Sequence, residues 1–181
     1  MTAPIIIEPY DPQWPEHFAI LRSKISTALG TLAEAIDHVG STAVPGLAAK
    51  PIIDVDALLQ SASDLPIAIR RLATSGYHHQ GDLGVHGREA FRAPASDFPH
   101  HLYVCSPECL EYRRHIAFRN HLRSCPEDAS AYANLKRTIA DRFHTDREAY
   151  TQAKTEFVQS ILRHAQLEIA EHSCRAGRII L

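Results

Sequence analysis

Asp54 and Asp56 stand two residues apart in an apolar run, Pro51-Ile52-Ile53-Asp54-Val55-Asp56-Ala57. The run predicts a strand over 52–59, because Pro51 bars a helix at Lys50 and β-branched residues follow it. Side chains alternate along a strand, so the two aspartates share one face while Ile53, Val55 and Ala57 take the other. Aspartate is depleted in strands, and like charges about 5 Å apart repel by roughly 3 kcal/mol at an effective dielectric near 20. A divalent cation between them turns that cost into a gain. The fold must therefore bury one face of this strand and find a chemical use for the other.

Just upstream, His38-Val39-Gly40-Ser41-Thr42 reads as a strand end entering a Gly-Ser turn. Glycine lets the backbone approach a phosphate, and the following N–H groups and the Ser41 hydroxyl can donate to its oxygens. His38, Gly40, Ser41 and Thr42 are therefore the candidate phosphate cradle. Lys50, Arg88 and Arg92 are candidate counter-charges, arginine as a bidentate partner and lysine as a point charge. Asp54 and Asp56 are candidate catalytic metal ligands for Mg²⁺ or Mn²⁺, ions that take oxygen donors together with substrate phosphates.

The rest of the chain predicts an α+β layout. Ile5 to Ile7 is an opening strand or an arm on the core. Phe18, Leu21, Ile25 and Leu29 recur at helical spacing, giving a helix from about 14 to 30 with Pro15 in its first turn. Ala35 to Val39 is a strand. A helix opens at Asp64-Leu65-Pro66, Tyr77 to His79 is a short strand, and the glycines at 81, 84 and 87 mark a loop. Glu89 to Arg92 and His101 to Cys105 are strands joined through Pro94 to Pro99. From Pro107 the pattern is helical, with Thr145 and Glu148 set as a capping box. The 181 residues fit one domain, with an α/β part over about 1–106 and a helical part over about 107–172.

Composition narrows the function. A net charge of −2 and a pI near 6.6 argue against a broad nucleic-acid surface. No apolar run approaches the ~20 residues that cross a bilayer, and the first residues lack a basic signal-peptide flank, so the default expectation is a cytoplasmic protein. The four cysteines are sparse and irregular and read as reduced thiols. Cys105, Cys109, His115 and His121 are the best zinc constellation available. Six residues of helix turn by about 600°, which sends the two histidines to different faces and disfavours that set.

A Gly-Ser turn followed by Asp-x-Asp on a strand resembles the pattern of nucleotidyltransferase-fold enzymes. Over a longer reach the chain resembles the GrpB family. The matching residues are Tyr10-Asp11-Pro12 with Trp14-Pro15, the segment His38 to Leu47, Lys50 to Asp54, His101 to Val104, Leu122-Arg123, Tyr132, Leu135-Lys136, Tyr150 and Lys154. That resemblance implies a nucleotidyltransferase-like mixed β-sheet with flanking helices and C-terminal helices. It also implies kinship with an extension fused to dephospho-CoA kinase in some bacteria. The wider superfamily completes its metal site with a third carboxylate from a later strand. Strand 101–105 offers His101 and Tyr103 but no acid, so Glu89 or Asp97 is the expected third ligand, with His101 as a substitute ligand or catalytic base. Asn120 stands where the family usually has an acid after the arginine, which weakens an acceptor role at that position.

The resulting expectation is Mg²⁺-dependent transfer of a nucleotidyl group from an NTP, foremost ATP, to an unknown small-molecule acceptor. Lys136, Tyr150 and Lys154 are expected to line the cleft where that acceptor enters. A carboxylate acceptor would give an adenylate able to feed an amide ligation. The alternative is a nucleotide- or CoA-related binding module without turnover.

Overall fold

A computed structural model of the chain describes residues 4–95 and 98–164. Helix α1 spans Trp14–Leu29 and buries Trp14, Leu21, Ile25 and Leu29, the stripe expected from their spacing. Strand β1, Ala33–Val39, and strand β2, Ile53–Leu59, follow, then helix α2, Leu65–Thr74. Strands β3, His78–Gly81, β4, Arg88–Arg92, and β5, His100–Cys105, complete one five-stranded sheet in the order β1-β2-β5-β4-β3. Only β2 and β5 run parallel; the other neighbours are antiparallel. This is the mixed-sheet α+β arrangement anticipated from the sequence.

The register sorts the sheet into two faces. Val55, Ala57, Phe91, Leu102 and Val104 join Leu21, Ile25, Leu29, Ala68 and Leu72 in one core beneath α1 and α2. Full burial of each large aliphatic there is worth about 1.5–3 kcal/mol. The opposite face carries Asp54 beside His101, and Asp56 between Asp37 of β1 and Tyr103 of β5. Helix α3, Leu110–Ser124, lies over that polar face, and helix α4, Pro126–Phe143, packs on the loop after β1 through Tyr132, Val44 and Leu47. Cys125 separates the two helices, and Pro126 opens the second.

The N-terminal segment is an arm. Ile5 is buried, its N–H bonds to the His144 carbonyl, and Glu8 forms a single bridge to Ala49. Helix α5, Arg147–Ala153, begins one residue later than the capping box implies: Asp146 is the N-cap and accepts from the Ala149 N–H. A carboxylate at that position serves the helix end itself and displaces Thr145 from the role. The chain turns at Lys154 and is helical again over 155–164; the expected helical residues 165–172 lie outside the described region. Among the described residues no helix is long and apolar enough to cross a membrane.

Candidate functional site

The Gly-Ser turn and Asp54 form one unit. Gly40 has φ 69° and ψ −167°, a region essentially reserved for glycine. A Cβ on Gly40 would lie 2.2 Å from Asp54 Oδ2. The carboxylate therefore rests directly on the glycine backbone, an approach no other residue permits. Ser41 to Ala43 follow as a single 3₁₀ turn, and Ser41 shares the cavity lining with Tyr132 of α4.

His38 holds this loop from below. It is buried, stacks on Phe18 at 4.7 Å between ring centroids, and its Nε2 lies 2.9 Å from Thr42 Oγ1. Thr42 Oγ1 donates to the Ile52 carbonyl, so its one proton is committed and His38 must donate to it from Nε2. Burial lowers the His38 pKa to about 4 and keeps the ring neutral, with its proton on Nε2. The structure places His38, expected as a phosphate contact, outside the cleft lining and beneath the turn as a support.

The two aspartates meet different partners. Asp54 is half-buried and its Oδ1 lies 2.9 Å from His101 Nδ1, across the parallel β2–β5 pair. Asp56 is fully buried, with Oδ2 2.7 Å from His115 Nδ1. Its Oδ1 is buried without a hydrogen-bond partner. Burial raises the Asp56 pKa, although the His115 hydrogen bond opposes it. Burial also works against charge on His115, but its bonds to Asp56 and Glu111 outweigh that and push it up to about 10. Both shifts keep a proton within the pair through neutral pH. Glu111, bonded to His115 and Arg114, is held down to about 2 and stays ionised.

Asp37 is occupied elsewhere. Tyr112 Oη donates to its Oδ2 at 2.8 Å and Arg119 Nη1 to its Oδ1 at 3.0 Å, the same nitrogen reaching the His38 carbonyl. Helix α3 thus answers the acidic sheet face with His115, Arg119 and Tyr112. The sequence does not single out His115 and Glu111, since only the strand register shows which helical face meets Asp56. Their i, i+4 spacing was the one available signal.

Three lysines gather at the same cleft. Lys136 is 2% exposed, donates to the Ala48 carbonyl and sits 4.7 Å from the centroid of the Tyr132 ring. Burial, with Lys154 nearby, lowers it to about 7. Lys154 lies 4.5 Å from the Tyr150 ring centroid and is lowered to about 8 by burial and then by Lys50, itself lowered by burial. Gly40, Ser41, Lys50, Asp54, His101 and the three aromatic or basic residues of the expected cleft (Lys136, Tyr150, Lys154) line one cavity of about 320 Å³. It adjoins a second hollow of about 490 Å³ that shares Glu111, Arg114 and Lys154. Those volumes suit a small-molecule site.

Besides His38 and the buried Asp56, the expected residues Glu89, Arg88 and Arg92 do not line it. Glu89 pairs with Val104 and so belongs to the opposite face of the sheet, where it lies 2.6 Å from His79 Nε2. One residue of register decides this, and Glu89 as a metal ligand is corrected. Asp97 lies outside the described residues. Arg88 is stacked over the Tyr103 ring at 4.3 Å, Arg92 is exposed, and neither lines the cleft.

Asp54 and Asp56 nevertheless fit a Mg²⁺ ion. They are hard oxygen donors at adjacent same-face positions, and the orphaned Asp56 Oδ1 is a buried lone pair that hydrogen bonding leaves unused. Nothing among the described residues supplies a third carboxylate from β4 or β5 on that face.

Comparison with known proteins agrees with the resemblance in the sequence. The UPF0157 protein PA4798 of Pseudomonas aeruginosa is 41% identical over 89% of this chain and 67% of that protein. The crystal structure of the conserved protein GrpB from Enterococcus faecalis superposes with a TM-score of 0.81 at 31% identity, over 91% of this chain and 99% of that one. A dephospho-CoA kinase of Mycolicibacterium paratuberculosis is 24% identical over 90% of this chain but only 46% of its own length. The family profile described as GrpB protein matches residues 4–164, and the chain belongs to the GrpB family.

Proposed function

We propose that the cleft binds a nucleoside triphosphate, ATP foremost, together with Mg²⁺, and transfers its nucleotidyl group to a small acceptor. The observation that carries this reading is the meeting of a carboxylate and a cluster of lysines in one cleft. Asp54 and His101 line it together with Lys50, Lys136, Lys154 and the Gly40–Ser41 turn, and Asp56 lies buried next to Asp54 on the same strand face. Clustered lysines with depressed pKa values are poorly compensated charges, and a polyanion restores the missing counter-charge. Mg²⁺ held by the aspartates would offset charge on the phosphates while they are attacked. His101, half-exposed and pinned through Nδ1 to Asp54, is placed to take a proton from an acceptor at its other ring nitrogen. The neighbouring hollow, walled by Glu111, Arg114, Thr151 and Thr155, is the entrance for the acceptor.

The lysines give the reading a pH signature. A triphosphate binds best when Lys136 and Lys154 are protonated, and they lose those protons near pH 7 and 8. The affinity for ATP with Mg²⁺ should therefore fall as pH rises from 6.5 to 9. The loss approaches about tenfold per pH unit for each lysine that must be recharged. Calorimetric titration at several pH values tests this; an affinity unchanged across the range would contradict it.

The position of Glu89 favours a second reading, a nucleotide-binding module without turnover. Without a carboxylate from β4 or β5 on that face among the described residues, the two strand aspartates support one metal ion rather than a two-metal displacement. Pyrophosphate release with any acceptor separates the two.

A further inference from the structure

The elbow between α3 and α4 gathers three side chains that the cleft does not use. His121 lies in the last turn of α3, Cys125 is the residue between the two helices, and Asp128 lies in the first turn of α4. Their ligand atoms all fall within 4.8 Å of one another. His121 is buried at 6% exposure, while Cys125 and Asp128 are half-buried and reachable from solvent. His121 Nε2 lies 2.6 Å from Asp128 Oδ2. His121 and Cys125 have the i, i+4 spacing that places two side chains on one helical face.

We propose that this elbow is a zinc-class metal site, with His121, Cys125 and Asp128 as ligands and water in the fourth position. A nitrogen, a thiolate sulfur and a carboxylate oxygen form a borderline-soft set that suits Zn²⁺ and disfavours Mg²⁺. Tetrahedral zinc needs such atoms roughly 3.3–3.6 Å apart, which side-chain shifts on the order of 1 Å supply: the His121–Asp128 pair opens from 2.6 Å and any wider separation, at most 4.8 Å, closes. Binding takes the proton from the Cys125 thiol and engages His121 as neutral imidazole, so protons are released to solvent. The set differs from the constellation that the sequence suggested. His115 is committed to Asp56, and His121 finds its partners across the elbow instead.

The site's position gives it a use. Arg123, two residues before Cys125, donates to the Ala43 carbonyl through Nε at 2.9 Å and Nη2 at 2.6 Å. Leu122 packs with Val44 and Leu47, and α4 carries Tyr132 into the same cluster and Lys136 to the Ala48 carbonyl. Both helices of the elbow therefore brace the loop between β1 and β2. A metal at their junction fixes the angle between them, without itself entering the cleft.

Cobalt titration of the full-length, chelator-treated protein tests the site. Co²⁺ should bind at one equivalent with a thiolate-to-metal charge-transfer band, and Zn²⁺ should displace it. Cys125→Ser should abolish the band. Asp128→Asn, which keeps a hydrogen-bond acceptor for His121, should weaken binding by more than about 100-fold, beyond the usual loss from a second-shell change. Asp54→Asn should leave the band intact, which separates this site from the cleft. Absence of a band in the wild type, or an unchanged band in Cys125→Ser, would overturn the proposal.

Discussion

Replacing His115 with alanine should destabilise the protein by about 3–5 kcal/mol at pH 8, the cost of leaving a buried charge without its partner. Asp56 has no exposure, and Oδ1 already lacks a partner; the substitution strips Oδ2 as well. The carboxyl's escape is protonation, and burial already holds its folded pKa above the ordinary 3.8. A carboxyl raised in the folded state is fully tolerated below its unfolded pKa, and its stability is lost as pH rises through the folded value. The His115→Ala penalty should therefore shrink toward pH 4. Adding Asp56→Asn should recover much of it at pH 8, because the buried charge is then gone. Urea unfolding of the single and double variants at both pH values measures this. A penalty below about 1 kcal/mol at pH 8, or one equal at both pH values, would contradict the assigned ion pair.

Gly40→Ala should cost about 2–5 kcal/mol and abolish nucleotide binding. A left-handed backbone angle on an L-residue costs about 1–2 kcal/mol, and forcing an atom into occupied space about 1–3 more. The occupied space is the Asp54 carboxylate, 2.2 Å from the new Cβ. Either the loop or the Asp54 carboxylate must move, so the proposed binding is lost along with stability. Gly46 supplies the control: its φ is 78° but nothing lies within 4 Å of a Cβ there. Gly46→Ala should therefore carry the backbone strain alone and leave the cleft working. Equal effects of the two substitutions on binding would contradict the role given to the Gly40–Asp54 contact.

These two residues also show what could be read from the sequence. Asp54, Gly40 and Ser41 are legible because strand alternation and glycine's conformational freedom are local rules, and the structure brings the three to one cavity. The strands and first helices follow from the same local periodicities. Glu89 was misplaced because its face depends on the β4–β5 register, and a shift of one residue reverses it. Arg88 and Arg92 lie on the favourable side but outside the cavity, which charge alone cannot reveal. His38 looks like a phosphate ligand beside Gly40. Only the packing of Phe18 shows that it is a neutral prop. The roles of His115 and Glu111 and the grouping of His121, Cys125 and Asp128 were hidden because they depend on how α3 lies over the sheet and where Pro126 redirects the chain.

The central claim is that Asp54 and Asp56 hold a divalent cation that joins a nucleotide to this cleft. Its most direct measurement is thermal unfolding with ATP, with and without Mg²⁺, for the wild type and Asp54→Asn. A ligand at 100 times its dissociation constant stabilises a fold by about 2.7 kcal/mol, a readily measured increase in melting temperature. The wild type should be stabilised by ATP when Mg²⁺ is present, and Asp54→Asn should lose that increment. Stabilisation of the same size without Mg²⁺, or undiminished in Asp54→Asn, would contradict the claim, as would no stabilisation of the wild type by any nucleoside triphosphate.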